Sequence, residues 1–275
     1  MPVIAFTSPK GGVGKTTLAA HVAALLARRG HRVVALDLDP QNALRLHLGL
    51  PLREEEGLFT DLSRPWRQSL RETPAGVGLL PYGTVEPRRA MENAAALLDN
   101  PELLAAIARD VVADPATILV LDSPPGPTPP LAALLPLVDV LAVVLLADAG
   151  SAAMLPLVAS GRVLGRGTLA SRVAGRLAVV LNQVDLDSPL SKAVLDGAAR
   201  MLGDRLIGAV ARDEALAEAL ADKRLLLSPM EGGAAEDLHA LADAIAARLP
   251  ASPAAPPATR RRGGYSALSE WGLDS

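Results

Sequence analysis

Ten residues near the N-terminus, Ser8-Pro9-Lys10-Gly11-Gly12-Val13-Gly14-Lys15-Thr16-Thr17, limit the fold more than any other stretch. An apolar run, Val3–Thr7, precedes them, and in Leu18–Arg29 apolar residues recur at helical spacing up to a stop at Gly30. Arg32–Leu36 then reads as a second strand ending at Asp37. Strand, glycine-rich loop, helix and strand in this order make a βαβ unit with a right-handed crossover. A loop of this kind presents backbone N–H groups to phosphate oxygens, and the helix N-terminus behind it adds partial positive charge. Gly11, Gly12, Val13 and Gly14 supply the close-approaching backbone, and Lys15 is placed to reach the β- and γ-phosphates. Thr16 is placed to ligate Mg²⁺, and Thr17 to bond a phosphate oxygen one position further on. The strict G-x-x-x-x-G-K-[ST] pattern fails at Pro9, and a second lysine, Lys10, is present instead.

The alternation continues along the chain. Strand-like runs fall at Val77–Leu80, Ile118–Leu121, Val140–Leu146, Leu177–Leu181 and, more weakly, Leu206–Val210. Helical patterns lie at Glu102–Val112, Ser151–Leu164, Leu190–Leu202, Asp213–Ala221 and Glu231–Leu249. The strands are near-continuous aliphatic runs, as expected when helices cover both sheet faces. The expected fold class is therefore α/β, a doubly wound and mainly parallel sheet flanked by helices, over residues 1–249. Pro51–Pro74, with Glu54-Glu55-Glu56 and an isolated Trp66, reads as a surface insertion, and the four histidines as surface or boundary residues. After Pro250 come Pro253, Pro256 and Pro257, so residues 250–275 read as an extended linker and short tail.

Three strand ends carry candidate chemistry, at the edge where open α/β sheets bind ligands. Asp37 and Asp39 lie two residues apart after the second strand, so both can face one cation or one water. Ile118-Leu119-Val120-Leu121-Asp122 is an apolar strand ending in an acid that would hold Mg²⁺ through water. Leu181-Asn182-Gln183 follows a later strand, and an Asn side chain offers donor and acceptor together, which suits the N6/N7 edge of adenine.

Lys-Gly-Gly-Val-Gly-Lys-Thr-Thr resembles the deviant Walker A motif of the ParA/MinD family of P-loop ATPases, in which the extra lysine is a signature. That resemblance implies a homodimer with ATP and Mg²⁺ sandwiched at its interface. It makes Lys10 a catalytic residue reaching the partner's nucleotide, beside catalytic Lys15 and Asp39, the latter positioning the attacking water. It places Asp37 near Mg²⁺, Gly126 of Ser123-Pro124-Pro125-Gly126 on the γ-phosphate, and Asn182 on the base. Phosphoryl transfer to water is mostly positioning and charge stabilisation, so slow, dimer-dependent hydrolysis with Lys10 as a trans-acting finger is the expectation. The alphabet supports a special role for that loop: of 27 basic residues only Lys10, Lys15, Lys192 and Lys223 are lysines, and two of the four sit in it.

Composition sorts the branches of that family. With no cysteine there is no thiolate for an iron–sulfur cluster, which removes the nitrogenase-iron-protein branch. The chain shows no signal peptide and no apolar run long enough for a bilayer span, so a cytoplasmic protein without direct membrane insertion is expected. Its acidic end, Ser266–Ser275, is a poor membrane anchor. A net charge of −3 gives no global attraction to DNA, yet Arg162, Arg166, Arg172 and Arg176 leave a local patch open for a partition-type ATPase on nucleoid DNA. Asp39–Gly49, Leu79–Gly83, Ala147-Asp148-Ala149 and Arg212–Ala219 are more similar to the cellulose-biosynthesis ATPases, BcsQ or YhjQ. That similarity implies an accessory ATPase on the cytosolic side of a membrane cellulose synthase complex, recruited to the membrane by partners. Tyr265 and Trp271, beyond the Pro linker, suggest that Arg260–Ser275 is a docking peptide.

Overall fold

A computed structural model of the chain describes residues 2–164 and 173–250. Eight strands form one sheet: β1 (Val3–Thr7), β2 (Arg32–Asp37), β3 (Arg71–Glu72), β4 (Gly78–Leu80), β5 (Thr117–Asp122), β6 (Val140–Leu146), β7 (Leu177–Val184) and β8 (Leu206–Ala211). Their order is β3-β4-β2-β5-β1-β6-β7-β8, parallel apart from β3, which pairs antiparallel with β4 at the edge. Strand periodicity explains why the runs are apolar throughout. In β1, Val3 and Ala5 enter one apolar cluster while Ile4 and Phe6 enter the other, on the opposite face of the sheet. The expected doubly wound fold class is what forms.

One face is covered by α1 (Lys15–Arg28) and by a C-terminal helix, Gly233–Ala246, whose Leu238, Leu241 and Ile245 join the Ala-rich side of α1. After β2 comes a short helix, α2 (Leu44–His47), followed by α3 (Trp66–Ser69). The other face carries α4 (Pro87–Asp99), α5 (Glu102–Val111) and α6 (Pro129–Leu134). Beyond β6 lie α7 (Ala149–Ala152) and α8 (Leu155–Ala159), then α9 (Pro189–Leu202) after β7 and α10 (Glu214–Ala221) after β8.

Two expectations need correction. The helix read over Ser151–Leu164 is broken into α7 and α8, because Pro156 has no N–H to return to the carbonyl four residues back, that of Ala152. Pro51–Pro74 is not a mere surface insertion. Leu58, Phe59, Trp66 and Leu70 are buried in the core, Phe59 stacks on Tyr82 at 4.3 Å, and the Trp66 indole donates to Asp110 at 2.7 Å. Gly57 permits this docking, since a Cβ there would stand 2.3 Å from the Gly83 backbone. Among the described residues, no helix is long and apolar enough to cross a membrane. The proposed docking tail, Arg260–Ser275, lies outside the described residues.

Candidate nucleotide site

The site sits at the carboxyl ends of β1, β2 and β5, three adjacent strands in the middle of the sheet. The loop after β1 turns twice through the left-handed region, at Gly12 (φ 73°) and Gly14 (φ 87°), which side chains rarely adopt. Gly14 is the residue before α1, and no acid lies in the first turn of that helix, so its partial positive end faces the loop unopposed. Val13 buries its side chain in the core and anchors the loop, leaving Gly11 and Gly12 exposed to an incoming phosphate. Lys15 is only 6% exposed and opens α1, while Thr16 and Thr17 are half-buried beside it.

The carboxylates behave differently from one another. β2 and β5 pair so that Asp37 stands directly opposite Asp122, and both are buried. Asp37 accepts the backbone N–H of Asp39 at 2.9 Å and of Leu44 at 3.1 Å, one on each oxygen, and so shapes the loop carrying Asp39. Burial, followed by the Asp122 charge, raises its carboxyl well above the usual range. Asp122 has neither oxygen hydrogen-bonded, and burial pushes it up to about 7 against the pull of the Thr16 hydroxyl and the Lys15 ammonium. Asp39 is half-buried, at the edge of the site, and accepts from the Gln41 amide at 2.9 Å.

An orphaned buried carboxylate beside a Thr hydroxyl is a donor set suited to a hard divalent cation. Asp122 and Thr16 fit Mg²⁺, with Asp37 behind them. Among the described residues, no three or more His, Cys, Asp or Glu side chains form a self-sufficient metal cage. That agrees with Mg²⁺ chemistry, in which one or two carboxylates share the ion with nucleotide phosphates and water.

A second cavity, of about 410 Å³, opens beside the loop and is lined by Gly14, Thr17, Asn182, Gln183, Arg212 and Asp213, among others. Its size lies within the span of small-ligand sites, about 300–1,000 Å³. Asn182 is buried, and its amide donates to the Val13 carbonyl at 2.8 Å, so it fastens the base side to the phosphate loop. The Cβ of any other residue at position 14 would collide with that amide, 2.3 Å away. Arg212 and Asp213 received no role from the sequence, although their place after β8, on the same sheet edge, was a usable signal.

Two groups are engaged in contacts that sequence reasoning missed. Lys10 turns toward its own subunit, where its ammonium pairs with Asp148 at 3.2 Å, both side chains being partly exposed. Asp148 also caps α7 by accepting the Ser151 amide at 2.6 Å. Partial burial works to raise the Asp148 carboxyl, but the Ser151 and Lys10 hydrogen bonds hold it below the usual range. The Gly126 N–H donates to the Ser8 carbonyl at 2.7 Å, tying the loop after β5 to the phosphate loop. Of the basic patch, Arg162 is exposed and Arg176 donates to the Pro136 and Val138 carbonyls. Arg166 and Arg172 lie outside the described residues. His21 and His47 are buried rather than surface residues.

This sheet order and phosphate loop define a P-loop nucleoside triphosphatase fold of the MinD/ParA type. The chain is similar in structure to the cell division protein MinD of Aquifex aeolicus, with TM-score 0.71 and 21% identity over 90% of this chain and 97% of that one. A likeness of the same order, TM-score 0.68 with 19% identity, links it to an ATP complex of a Cyanothece McdA variant, over 90% of this chain and 96% of that one. In sequence it is 39% identical to the chromosome-partitioning ATPase Soj of Thermus thermophilus over 127 residues, 46% of this chain and 47% of Soj. The chain thus spans about half the length of that relative. The chain belongs to the family described as cellulose biosynthesis protein BcsQ, whose model matches residues 1–246.

Proposed function

We infer that this protein is an ATP-switched, dimerising ATPase that serves as an accessory subunit of a bacterial cellulose synthase secretion complex. The family match over residues 1–246 carries the cellulose assignment, and the intact phosphate loop, with both Lys10 and Lys15, carries the ATPase assignment. Lys15, the loop amides and Thr17 hold the phosphates, and Asn182 and the cavity beside it take the base. Thr16 and Asp122 hold Mg²⁺, which neutralises phosphate charge and supplies the cation that the buried carboxylates lack. Asp39 positions the attacking water.

Lys10 is the switch. In the free subunit it rests on Asp148, away from its own phosphate loop, which supports a lysine that acts only on the nucleotide of a second copy. Slow, dimer-dependent turnover follows. Gly126, bonded to Ser8 in the free subunit, trades that bond for the γ-phosphate and so reports ATP to the surface that partners read. The protein works in the cytoplasm and is recruited to the inner membrane by the synthase complex, whose subunits read the ATP-bound dimer.

The second reading is a partition or positioning ATPase on nucleoid DNA, favoured by the similarity to Soj. Affinity-tagged protein, loaded with ATP or ADP and applied to detergent-solubilised membranes of its cellulose-secreting host, separates the two. The cellulose reading expects synthase subunits to be retained in the ATP state. ATP-dependent binding of duplex DNA that collapses steeply with salt, with no synthase retained, would replace it by the partition reading.

A further inference from the structure

A buried histidine meets the phosphate-binding threonine across two elements. His47, at the end of α2, is 9% exposed and packs against α1. Its Nδ1 lies 3.1 Å from the Ala43 carbonyl, and its Nε2 lies 3.1 Å from the Thr17 hydroxyl oxygen. The donors decide the tautomer. A carbonyl only accepts, so Nδ1 carries the hydrogen, and burial lowers the basicity of His47 and keeps the ring neutral. Nε2 is therefore bare and accepts the Thr17 O–H. The backbone of Thr17 is held as well, since its carbonyl lies 2.7 Å from Nδ1 of buried His21.

A hydroxyl has one hydrogen. While Thr17 donates it to His47, the oxygen offers only lone pairs to the cavity it lines, and a phosphate oxygen meets those lone pairs with repulsion. For Thr17 to donate to a phosphate, the bond to His47 must break. The Thr17 oxygen and Nε2 would then face each other as two acceptors, an arrangement costly in a buried place. The ring or its helix must shift.

The segment carrying His47 is already incompletely satisfied. Asn42, five residues earlier, is buried with neither side-chain amide atom hydrogen-bonded, and its backbone sits in the left-handed region at φ 51°. The same segment leads back through Gln41 and Pro40 to Asp39, at the edge of the candidate site.

We propose that His47 is a positioning residue that holds the Thr17 hydroxyl hydrogen in the empty subunit and surrenders it to the entering phosphate. Loading the site thereby unlatches residues 42–49 and, through them, moves the Asp39 loop. This inference rests on the ATP-binding reading above.

The test is nucleotide affinity, measured by titration with a fluorescent ADP analogue on the full chain. His47→Leu removes the competing acceptor. His47→Gln keeps a polar side chain whose NH₂ can turn toward the Thr17 oxygen, and it serves if the leucine variant folds poorly. Both are expected to bind about 2- to 10-fold more tightly than the unaltered protein, the worth of one net hydrogen bond. In a Thr17→Val background, either His47 change is expected to alter affinity by less than about twofold, within the error of additivity. In ¹⁵N-histidine spectra, the His47 Nε2 resonance should move on loading as its donor leaves. A merely structural His47 would lower thermal stability without tightening binding. Unchanged or weaker affinity in the folded variants, or a gain that survives in Thr17→Val, overturns the proposal. An unaltered protein that binds no nucleotide overturns the ATP reading itself.

Discussion

Asp122→Asn should stabilise the empty protein at the cost of its site. Burial raises the Asp122 carboxyl from an ordinary 3.8 to about 7 in the folded chain. The folded state then holds a proton that the unfolded state releases near pH 4, so stability falls as pH rises through about 4 to 7 and stays low above it. At about 1.4 kcal/mol per tenfold change in proton affinity, that gap is worth on the order of 4 kcal/mol at pH 8, as an upper bound. Asn has the shape of Asp and no charge, so it escapes the loss. At about 2 °C per kcal/mol for a chain of this size, its melting temperature should exceed that of the unaltered protein by up to about 8 °C at pH 8. The two should converge at pH 4. The assay is thermal unfolding with chelator and without nucleotide, across that pH range. A difference of the same size at both pH values, or a less stable Asn variant at pH 8, would refute the account of Asp122 as an uncompensated buried charge.

Other predictions concern single contacts. Asp148→Asn keeps a capping side chain for α7 but drops the charge under Lys10; each partly exposed pair is worth about 0–1 kcal/mol, and two break per dimer. ATP-dependent dimerisation should then tighten by no more than about 30-fold in sedimentation, and weaker dimers would show that Asp148 serves the dimer instead. Asn182→Ala should weaken ADP binding in calorimetry by about 10-fold or more, since it removes both a base contact and the Val13 tether, and an unchanged affinity would remove Asn182 from the site. Deleting Arg260–Ser275 should weaken retention of synthase subunits without changing ATP turnover, and equal retention would discard the docking-peptide reading.

Much of this molecule was legible wherever a signal is contiguous. The aliphatic runs that became β1, β2, β5, β6 and β7 announce a sheet covered on both faces, and the phosphate loop carries its chemistry within ten residues. The legible part ends where function depends on a distant partner. Nothing local to Lys10 points to Asp148, which comes from the far end of β6, and nothing local to Thr17 points to His47. Trp66 looked like an isolated surface aromatic because its partner, Asp110, lies on another helix. The helix at Pro87–Asp99 escaped notice for a different reason. It buries only Asn93 and Leu97 while exposing Met91 and Leu98, so its apolar stripe faces nothing that periodicity could reveal.

Central to this mechanism is that Lys10 leaves Asp148 to complete the ATP site of a second copy. Light scattering after gel filtration, with ATP and with ADP, tests it when paired with turnover of Lys10→Ala. The expected result is a dimer with ATP, a monomer with ADP, and a Lys10→Ala protein that binds ATP yet stays monomeric and does not hydrolyse it. Unchanged turnover in Lys10→Ala, or the same mass with either nucleotide, would contradict it.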